Sequence, residues 1–258
     1  MKTAILLISF GTTVKEAREK GIESIYRELS DANRELPIYQ AYTSSVVIRA
    51  LKKEGIHRNT VEEAILEAWD DGIQRLYVLP THIIPGLEYE KMMKMLERYR
   101  LDFEVIEIAP SVLSEEADCD KLVPVWKDML GFDENTEYIL MGHGTEHSAN
   151  VRYEQMQRAF EMQGFFNVHM ALVEARPDLE DVIERLRKRK VQKVILHPFL
   201  LVAGNHVHND MRQVFAKRLK EEGYEVETVV KGLGEYPQFR TLYLERIREM
   251  REKTEGNR

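Results

Sequence analysis

The feature that most constrains this chain is an internal repeat, in which short apolar runs alternate with longer amphipathic stretches through both halves. Residues 73–76 (Ile-Gln-Arg-Leu) match residues 191–194 (Val-Gln-Lys-Val) at an offset of 118, and residues 10–12 (Phe-Gly-Thr) match 143–145 (His-Gly-Thr) at an offset of 133. The first offset also aligns three further identical pairs: Pro80 with Pro198, Gly86 with Gly204, and Met93 with Met211. We therefore expect two similar halves, 1–125 and 126–258, that arose by duplication.

The apolar runs have the length and composition of strands buried on both faces. Strands that alternate with helix-length segments form βαβ units and parallel sheets. The sequence therefore predicts an α/β protein with two similar Rossmann-like halves, each with a parallel sheet, and a cleft between them. The predicted strands are 4–10, 37–42, 75–79, 103–108, 138–141, 167–173, 191–197 and 225–230.

Composition excludes several classes of function. The formal net charge of −7 over 258 residues leaves no basic surface for nucleic acid. No apolar run approaches the roughly 20 residues that a membrane-spanning helix needs. Cys119 is the one cysteine, so the chain has no internal disulfide, and we expect a cytoplasmic protein. The sequence leaves a homo-oligomer open.

Three polar residues follow predicted strands, and ligands of open parallel sheets bind beyond the carboxyl ends of strands. His143 lies between two glycines after the strand at 138–141, Glu174 follows 167–173, and His206 follows the loop after 191–197. Each also has an ordinary structural interpretation: a histidine that caps a helix or is solvated, and a Glu174 carboxylate paired with Arg176.

The repeat aligns His206 with Glu88 at the offset of 118, and His143 with Phe10 at the offset of 133. Two imidazoles with a carboxylate suit a borderline divalent ion such as Co²⁺, Ni²⁺, Fe²⁺ or Zn²⁺. The chain has no glycine-rich phosphate loop, and we expect no organic cofactor.

Four segments of the chain carry distinctive motifs: 7–12 (Leu-Ile-Ser-Phe-Gly-Thr), 82–91 (His-Ile-Ile-Pro-Gly-Leu-Glu-Tyr-Glu-Lys), 142–145 (Gly-His-Gly-Thr) and 202–211 (Val-Ala-Gly-Asn-His-Val-His-Asn-Asp-Met). Together they resemble a known family, the anaerobic cobalt chelatases of cobalamin biosynthesis, which belong to the class II chelatases. The resemblance extends over nearly the whole chain, through residues 232–235 (Gly-Leu-Gly-Glu).

The resemblance implies an enzyme that inserts Co²⁺, as substrate metal, into sirohydrochlorin or its reduced form precorrin-2. It implies His143, Glu174 and His206 as metal ligands, with His143, His206 and Glu88 as catalytic residues. One departure concerns Asn205, which stands where an acidic residue is expected and so removes a carboxylate near His206. Insertion of iron or nickel into a related tetrapyrrole, and a carrier of metal or tetrapyrrole without chemistry, are the alternatives.

Overall fold

The computed structural model describes residues 1–189 and 191–256, and it contains two four-stranded parallel sheets. Each sheet lies in its own compact unit. The first unit consists of Met1–Val112 together with the chain from Phe239 onward, and the second of Leu113–Gln238. The α/β class and the two parallel sheets predicted from the sequence are confirmed.

The first sheet has the strand order β2-β1-β3-β4, which places the two most apolar strands at its centre. Its strands are β1 (Thr3–Ser9), β2 (Ile38–Tyr42), β3 (Arg75–Pro80) and β4 (Val105–Ile108). Helix α1 has α-helical ends, Lys15–Ala17 and Glu23–Ala32, joined by a π-helical segment, Arg18–Ile22. The other helices of this unit are α2 (Ser45–Lys53), α3 (Val61–Asp70), α4 (Leu87–Arg98) and, after the second unit, α9 (Pro237–Gly256).

The second sheet repeats this order as β6-β5-β7-β8. Its strands are β5 (Thr136–Gly142), β6 (Val168–Leu172), β7 (Lys193–Pro198) and β8 (Glu225–Thr228). Its helices are α5 (Glu116–Leu130), α6 (Val151–Met162), α7 (Leu179–Leu186) and α8, which is π-helical over Val207–Phe215 and α-helical over Ala216–Glu221.

The repeat read from the sequence holds at the level of strand register. β5 begins and ends 133 residues after β1, and β7 begins and ends 118 residues after β3. In the first sheet Ile8 pairs with Ala41 on one side and Pro80 on the other. Met141 pairs in the same way with Ala171 and Pro198. The carboxyl edges of the two sheets are therefore equivalent in backbone.

The compact units differ from the sequence-based division at 125/126, because α9 packs on the first unit. Tyr243 is fully buried and donates its hydroxyl to the carbonyl oxygen of Thr81 at 3.0 Å, and Arg240 pairs with Glu28 at 2.7 Å. Residues from Leu113 belong to the second unit, where the buried Trp126 ring stacks on Phe199 with centroids 5.3 Å apart. Residues 190, 257 and 258 of the proposed second half lie outside the described residues.

Amphipathic spacing in the sequence predicts helices over 15–32, 60–71, 88–99, 150–163, 178–190, 208–222 and 239–253, with Thr60 as N-cap of the second. That cap is present in α3: the Thr60 side chain accepts from the backbone of Glu63, and Glu63 accepts in return from Thr60. Helices α2 and α5 were not predicted. Over the described ranges, no helix combines the length and apolar character needed to cross a bilayer.

Candidate metal site

His143 stands at the end of β5, and the local backbone depends on the glycine that follows it. Gly144 has φ +81°, a conformation that residues with a side chain rarely adopt, and a Cβ atom there would lie 2.9 Å from Ala175. The tight turn brings Nδ1 of His143 within 2.9 Å of the Gly144 carbonyl oxygen. Because a carbonyl oxygen only accepts, Nδ1 carries the proton. Nε2 of His143 therefore presents a lone pair.

His206 immediately precedes the π-helical part of α8, and a carboxylate one turn along the helix orients it. Nδ1 of His206 lies 2.8 Å from Oδ2 of Asp210. Asn205 lacks the carboxylate that the resemblance leads us to expect just before His206, and the carboxylate that contacts the ring is that of Asp210. Such carboxylate–histidine contacts fix the tautomer and raise the basicity of the free nitrogen.

The two imidazoles face each other at the carboxyl edge of the second sheet. Their ring centroids are 4.5 Å apart and the planes meet at 83°. Two imidazoles bound to one ion through metal–nitrogen bonds of about 2.1 Å have centroids roughly 4.5 to 5.5 Å apart. Neither Nε2 atom has a hydrogen-bond partner among the described residues. The pair is thus spaced to share a divalent ion with little movement.

Glu174 lies beside this pair but on the Nδ1 side of His143. Its backbone N–H donates to the carbonyl oxygen of His143 at 2.8 Å, and its carboxylate is 3.6 Å from Nδ1. The side chain is 58% exposed. Arg176, the alternative partner considered from the sequence, instead binds Asp181 at 2.9 Å. Across residues 1–189 and 191–256, no three His, Cys, Asp or Glu side chains are already arranged to hold a metal ion.

Glu88, the fourth residue predicted for the site, belongs to the first unit. It lies in the first turn of α4, where its carboxylate binds the Lys91 ammonium at 2.6 Å, and its side chain is 29% exposed. The position is the structural counterpart of His206 at the offset of 118, because each residue begins the helix that follows the third strand of its sheet.

The loop before His206 is supported by a second chain segment. Backbone N–H groups of Leu233 and Gly234 donate to the carbonyl oxygens of Leu200 and Leu201 at 2.9 and 2.8 Å. Gly232 lies so close to this loop that a Cβ atom would be 2.6 Å from the Leu201 oxygen. The segment 232–235, in which the family resemblance ends, therefore positions the loop that carries His206.

His197 is a buried histidine with a structural environment, although it ends β7 close in sequence to the site. It is fully buried, and its ring nitrogens contact the Pro198 carbonyl oxygen at 2.9 Å and the Tyr236 hydroxyl at 2.8 Å. Burial lowers its pKa to about 3. With both nitrogens engaged, His197 has no free ligand atom for a metal.

A second histidine–carboxylate pair lies at the opposite end of the strands, and sequence reasoning missed it. Nε2 of His169 is 2.6 Å from the carboxylate of Glu137, and both side chains are buried. Arg189 contacts the other oxygen of Glu137 at 2.5 Å. Glu137 is the second residue of β5, at the end remote from His143, so this pair is separate from the metal site.

Comparison with known proteins shows which family the chain belongs to. The family model described as cobalt chelatase (CbiK) matches residues 3–252. The sirohydrochlorin cobaltochelatase of Salmonella typhimurium is 30% identical over 250 residues, which cover 95% of this chain and 94% of that protein. The sirohydrochlorin cobaltochelatase CbiKC of Nitratidesulfovibrio vulgaris is 27% identical over 258 residues, covering 95% and 89%.

Solved structures show the same fold at lower sequence identity. SirB from Bacillus subtilis with Fe³⁺ has a TM-score of 0.66 at 18% identity, covering 99% of this chain and 98% of that one. The sirohydrochlorin chelatase SirB of Bacillus subtilis subspecies spizizenii, in complex with cobalt, has a TM-score of 0.64 at 17% identity, with the same coverage. Because the family model spans nearly the whole chain, this protein belongs to the cobalt chelatase (CbiK) family.

Proposed function

We propose that this protein is a sirohydrochlorin cobaltochelatase, which inserts Co²⁺ into sirohydrochlorin for cobalamin biosynthesis. The observation that carries the proposal is the pair of imidazoles, His143 and His206, whose ring centroids lie 4.5 Å apart at a sheet edge. Neither Nε2 atom has a hydrogen-bond partner among the described residues. Two proteins that share about 30% of their residues with this chain carry that activity in their names.

The histidine pair and Glu174 hold the incoming ion, and their arrangement suits transfer better than storage. Two imidazoles leave coordination positions open for water, as in catalytic rather than structural sites. Glu174 is exposed enough to rotate from the Nδ1 side of His143 toward the ion. A third ligand that arrives by rotation also leaves by rotation, so the ion is released to the macrocycle without dismantling the fold.

Metal insertion also requires two protons to leave the macrocycle nitrogens for each Co²⁺ that enters. When a metal–imidazole bond breaks, the Nε2 lone pair is free to accept one of these protons, at a pKa naturally near neutrality. Glu88 accepts the second proton or orients the ring. The reaction is balanced by the release of both protons to water and needs no electron donor, so we propose that it uses no organic cofactor.

We place the reaction in the cytoplasm. The one cysteine, Cys119, is a free thiol buried in α5, and burial raises its pKa to about 11. A buried neutral thiol is unreactive and remains reduced where glutathione maintains thiols.

The test is a turnover assay in which the protein is present at one-hundredth of the sirohydrochlorin concentration. Separate reactions contain Co²⁺, Fe²⁺ or Ni²⁺, and absorbance reports the metallated product. We expect protein-dependent conversion of all the macrocycle, fastest with Co²⁺. Conversion that stops after one equivalent would identify a carrier. A faster reaction with Fe²⁺ or Ni²⁺ would reassign the metal.

The matched variants are His206→Ala and His208→Ala, two residues apart on the same segment. We expect the first to lose activity at least 100-fold, on the scale of a lost metal ligand and its orientation. His208→Ala should retain it, because only His206 faces His143. Equal activity of both variants would reject the site.

A further inference from the structure

The first unit contains a buried arginine without a counter-charge. Arg18 lies in the π-helical segment of α1 and is only 5% exposed. Within the described ranges its guanidinium makes one hydrogen bond, to the carbonyl oxygen of Thr12 at 3.4 Å. Among the described residues no carboxylate lies within ion-pair distance of its guanidinium. Arginine is almost never buried unless it is paired, because an isolated charge is costly away from water.

Unpartnered polar atoms surround the end of β2 beside it. Among the described residues, the Tyr42 hydroxyl, the Thr43 hydroxyl and Nε of Arg58 are buried and make no hydrogen bond of ordinary geometry. Burial raises the pKa of the Tyr42 phenol, and both its contact with the Arg58 guanidinium and the positive charge of Arg18 oppose that rise. Buried polar groups normally find partners, so this many open ones in one place indicate a missing ligand.

The charges of this cluster do not balance. Arg58 binds the Glu23 carboxylate at 3.1 Å, and these two side chains are the ones that reach the surface, at 28% and 23% exposure. Arg18 and Arg58 contribute two positive charges, and Glu23 one negative charge. One positive charge remains, with hydroxyl donors beside it, as an incoming carboxylate or phosphate requires.

Two arginines of the second unit that could bind a substrate carboxylate already have partners. Arg152 donates to Gln155 and to the Ser114 carbonyl oxygen, both at 2.7 Å. Arg176 binds Asp181. Arg18 differs from both, because in the part of the chain that the structure describes no carboxylate pairs with its guanidinium.

We propose that Arg18, Arg58, Tyr42 and Thr43 form an anion subsite that binds one carboxylate of the tetrapyrrole substrate. This inference rests on the proposed function, which supplies a substrate with carboxylate side chains. The subsite lies at the carboxyl edge of the first sheet, where open parallel sheets bind ligands. A bound carboxylate supplies the missing counter-charge for Arg18 and acceptors for the Tyr42 and Thr43 hydroxyls.

The experiment titrates metal-free sirohydrochlorin into the full chain and follows the Kd by absorbance. We expect Arg18→Gln to weaken binding about tenfold, the loss of one charged hydrogen bond. Glu23→Gln should tighten binding about threefold, because it removes the carboxylate that competes for the arginines. Partial unfolding would weaken binding, so it cannot explain a tighter Kd. Arg75→Gln is the matched control, since Arg75 also has a buried unpartnered Nε but lies at the start of β3.

The outcomes separate the inference from the proposed function. Wild-type binding that is unaffected by Arg18→Gln and Glu23→Gln overturns the subsite alone, whereas a wild-type chain that does not bind sirohydrochlorin overturns both. Two further titrations identify the anion. The methyl ester of sirohydrochlorin should bind wild type and Arg18→Gln equally. If Arg18→Gln loses inorganic phosphate but keeps sirohydrochlorin, the site takes a free anion and the carboxylate assignment is wrong.

Discussion

The carboxyl edges of the two sheets share a backbone and differ in chemistry. The N–H of Ser44 donates to the Phe10 carbonyl oxygen at 3.2 Å, and the N–H of Glu174 donates in the same way to His143 at 2.8 Å. The third strands repeat this agreement, with Thr81 donating to Ile8 at 2.8 Å and Phe199 to Met141 at 2.7 Å. Phe10 and Ser44 are therefore the structural counterparts of His143 and Glu174.

The side chains at these equivalent positions perform different tasks. Ser44 caps α2 by accepting from the backbone of Val47, whereas Glu174 has an exposed carboxylate beside an imidazole. Phe10 is 49% exposed and offers no ligand atom, whereas His143 offers a free nitrogen. The comparison shows two equivalent backbone frames, and we propose that substitutions at the strand ends assign the metal to the second of them. The backbone alone does not indicate function.

The strongest test of this comparison is His143→Phe, which gives the second sheet the residue type found at the equivalent position of the first. Because Phe10 is accommodated on the same backbone, we expect the variant to fold and to lose at least about 100-fold in kcat/KM, as a metal ligand is removed. Melting temperature and initial rate of cobalt insertion are the measurements. Phe10→Leu is the matched control and should stay within about threefold of wild type. Substantial activity of His143→Phe would show that the histidine is not a ligand.

The shared turn can be tested with Gly11→Ala and Gly144→Ala. Both glycines have positive φ, and a Cβ atom would lie 2.5 Å from the Tyr42 ring or 2.9 Å from Ala175. We expect each variant to lower the free energy of unfolding by about 2 kcal/mol or more, from backbone strain and crowding together. Urea unfolding measures this.

Gly164→Ala separates the two contributions. Gly164 also has a positive φ, but no atom lies within 4 Å of its virtual Cβ, so only the strain of about 1 kcal/mol should remain. An equal loss in all three variants would mean that close packing at the two turns contributes nothing.

Asp210→Ala tests whether the Asp210 carboxylate orients His206 for metal binding. Removing the carboxylate frees the ring to rotate and removes the group that fixes its tautomer, so we expect Co²⁺ to bind about tenfold more weakly. The visible spectrum of Co²⁺ added without macrocycle reports the affinity. Asn209→Ala, the exposed neighbour, serves as control. If Asp210→Ala binds cobalt as tightly as wild type, the 2.8 Å contact between His206 and Asp210 stabilises the helix and does not support metal binding.

The last expected effect, which is small near neutral pH and grows in acid, concerns the buried histidines. Burial lowers the pKa of His197 to about 3, so the folded protein keeps it neutral while the unfolded chain takes up a proton below about pH 6.5. The contribution of His197 to the free energy of unfolding is therefore complete above pH 6.5. It decreases as the pH falls toward 3, by at most about 1.4 kcal/mol per pH unit.

His197→Gln should therefore flatten the dependence of unfolding free energy on pH between 6.5 and 4.5. A smaller slope of the same sign should remain in this variant, because burial also lowers the pKa of His82, in the first unit, to about 4. Exposed His57→Gln is the control and should reproduce the wild-type curve. A wild-type slope in His197→Gln would show that other groups carry the acid sensitivity.

Much of the fold could be predicted from the sequence, and the failures have local causes. All eight strands were predicted, because their apolar runs are short and separated by amphipathic segments. The helix α2 was missed because it begins Ser-Val-Val-Ile, a composition typical of strands. The helix α5 contains Pro124, which usually ends a helix. Burial of Leu51 and of Trp126 overrides these local preferences.

The candidate site was only partly visible in the sequence. Glycines and strand ends pointed to His143 and His206, and the structure brings the two rings together. Asp210 was missed because its role depends on the helix that places it one turn after His206. Arg18 had a signal that was not used: it shares helical spacing with the apolar residues Ile22, Ile25 and Leu29, where a charged side chain is out of place.

The sequence by itself determined the duplicated α/β frame, the strand ends and the residue types that can bind a metal ion, because these follow from local periodicity and from identities between the two halves. The tertiary structure decided which of those residues act together. It set the 4.5 Å separation of the imidazoles, turned Glu174 to the Nδ1 side of His143 and left Arg18 buried without a counter-charge. The reason is that distances between side chains on different strands depend on sheet register and helix packing, which no local pattern encodes.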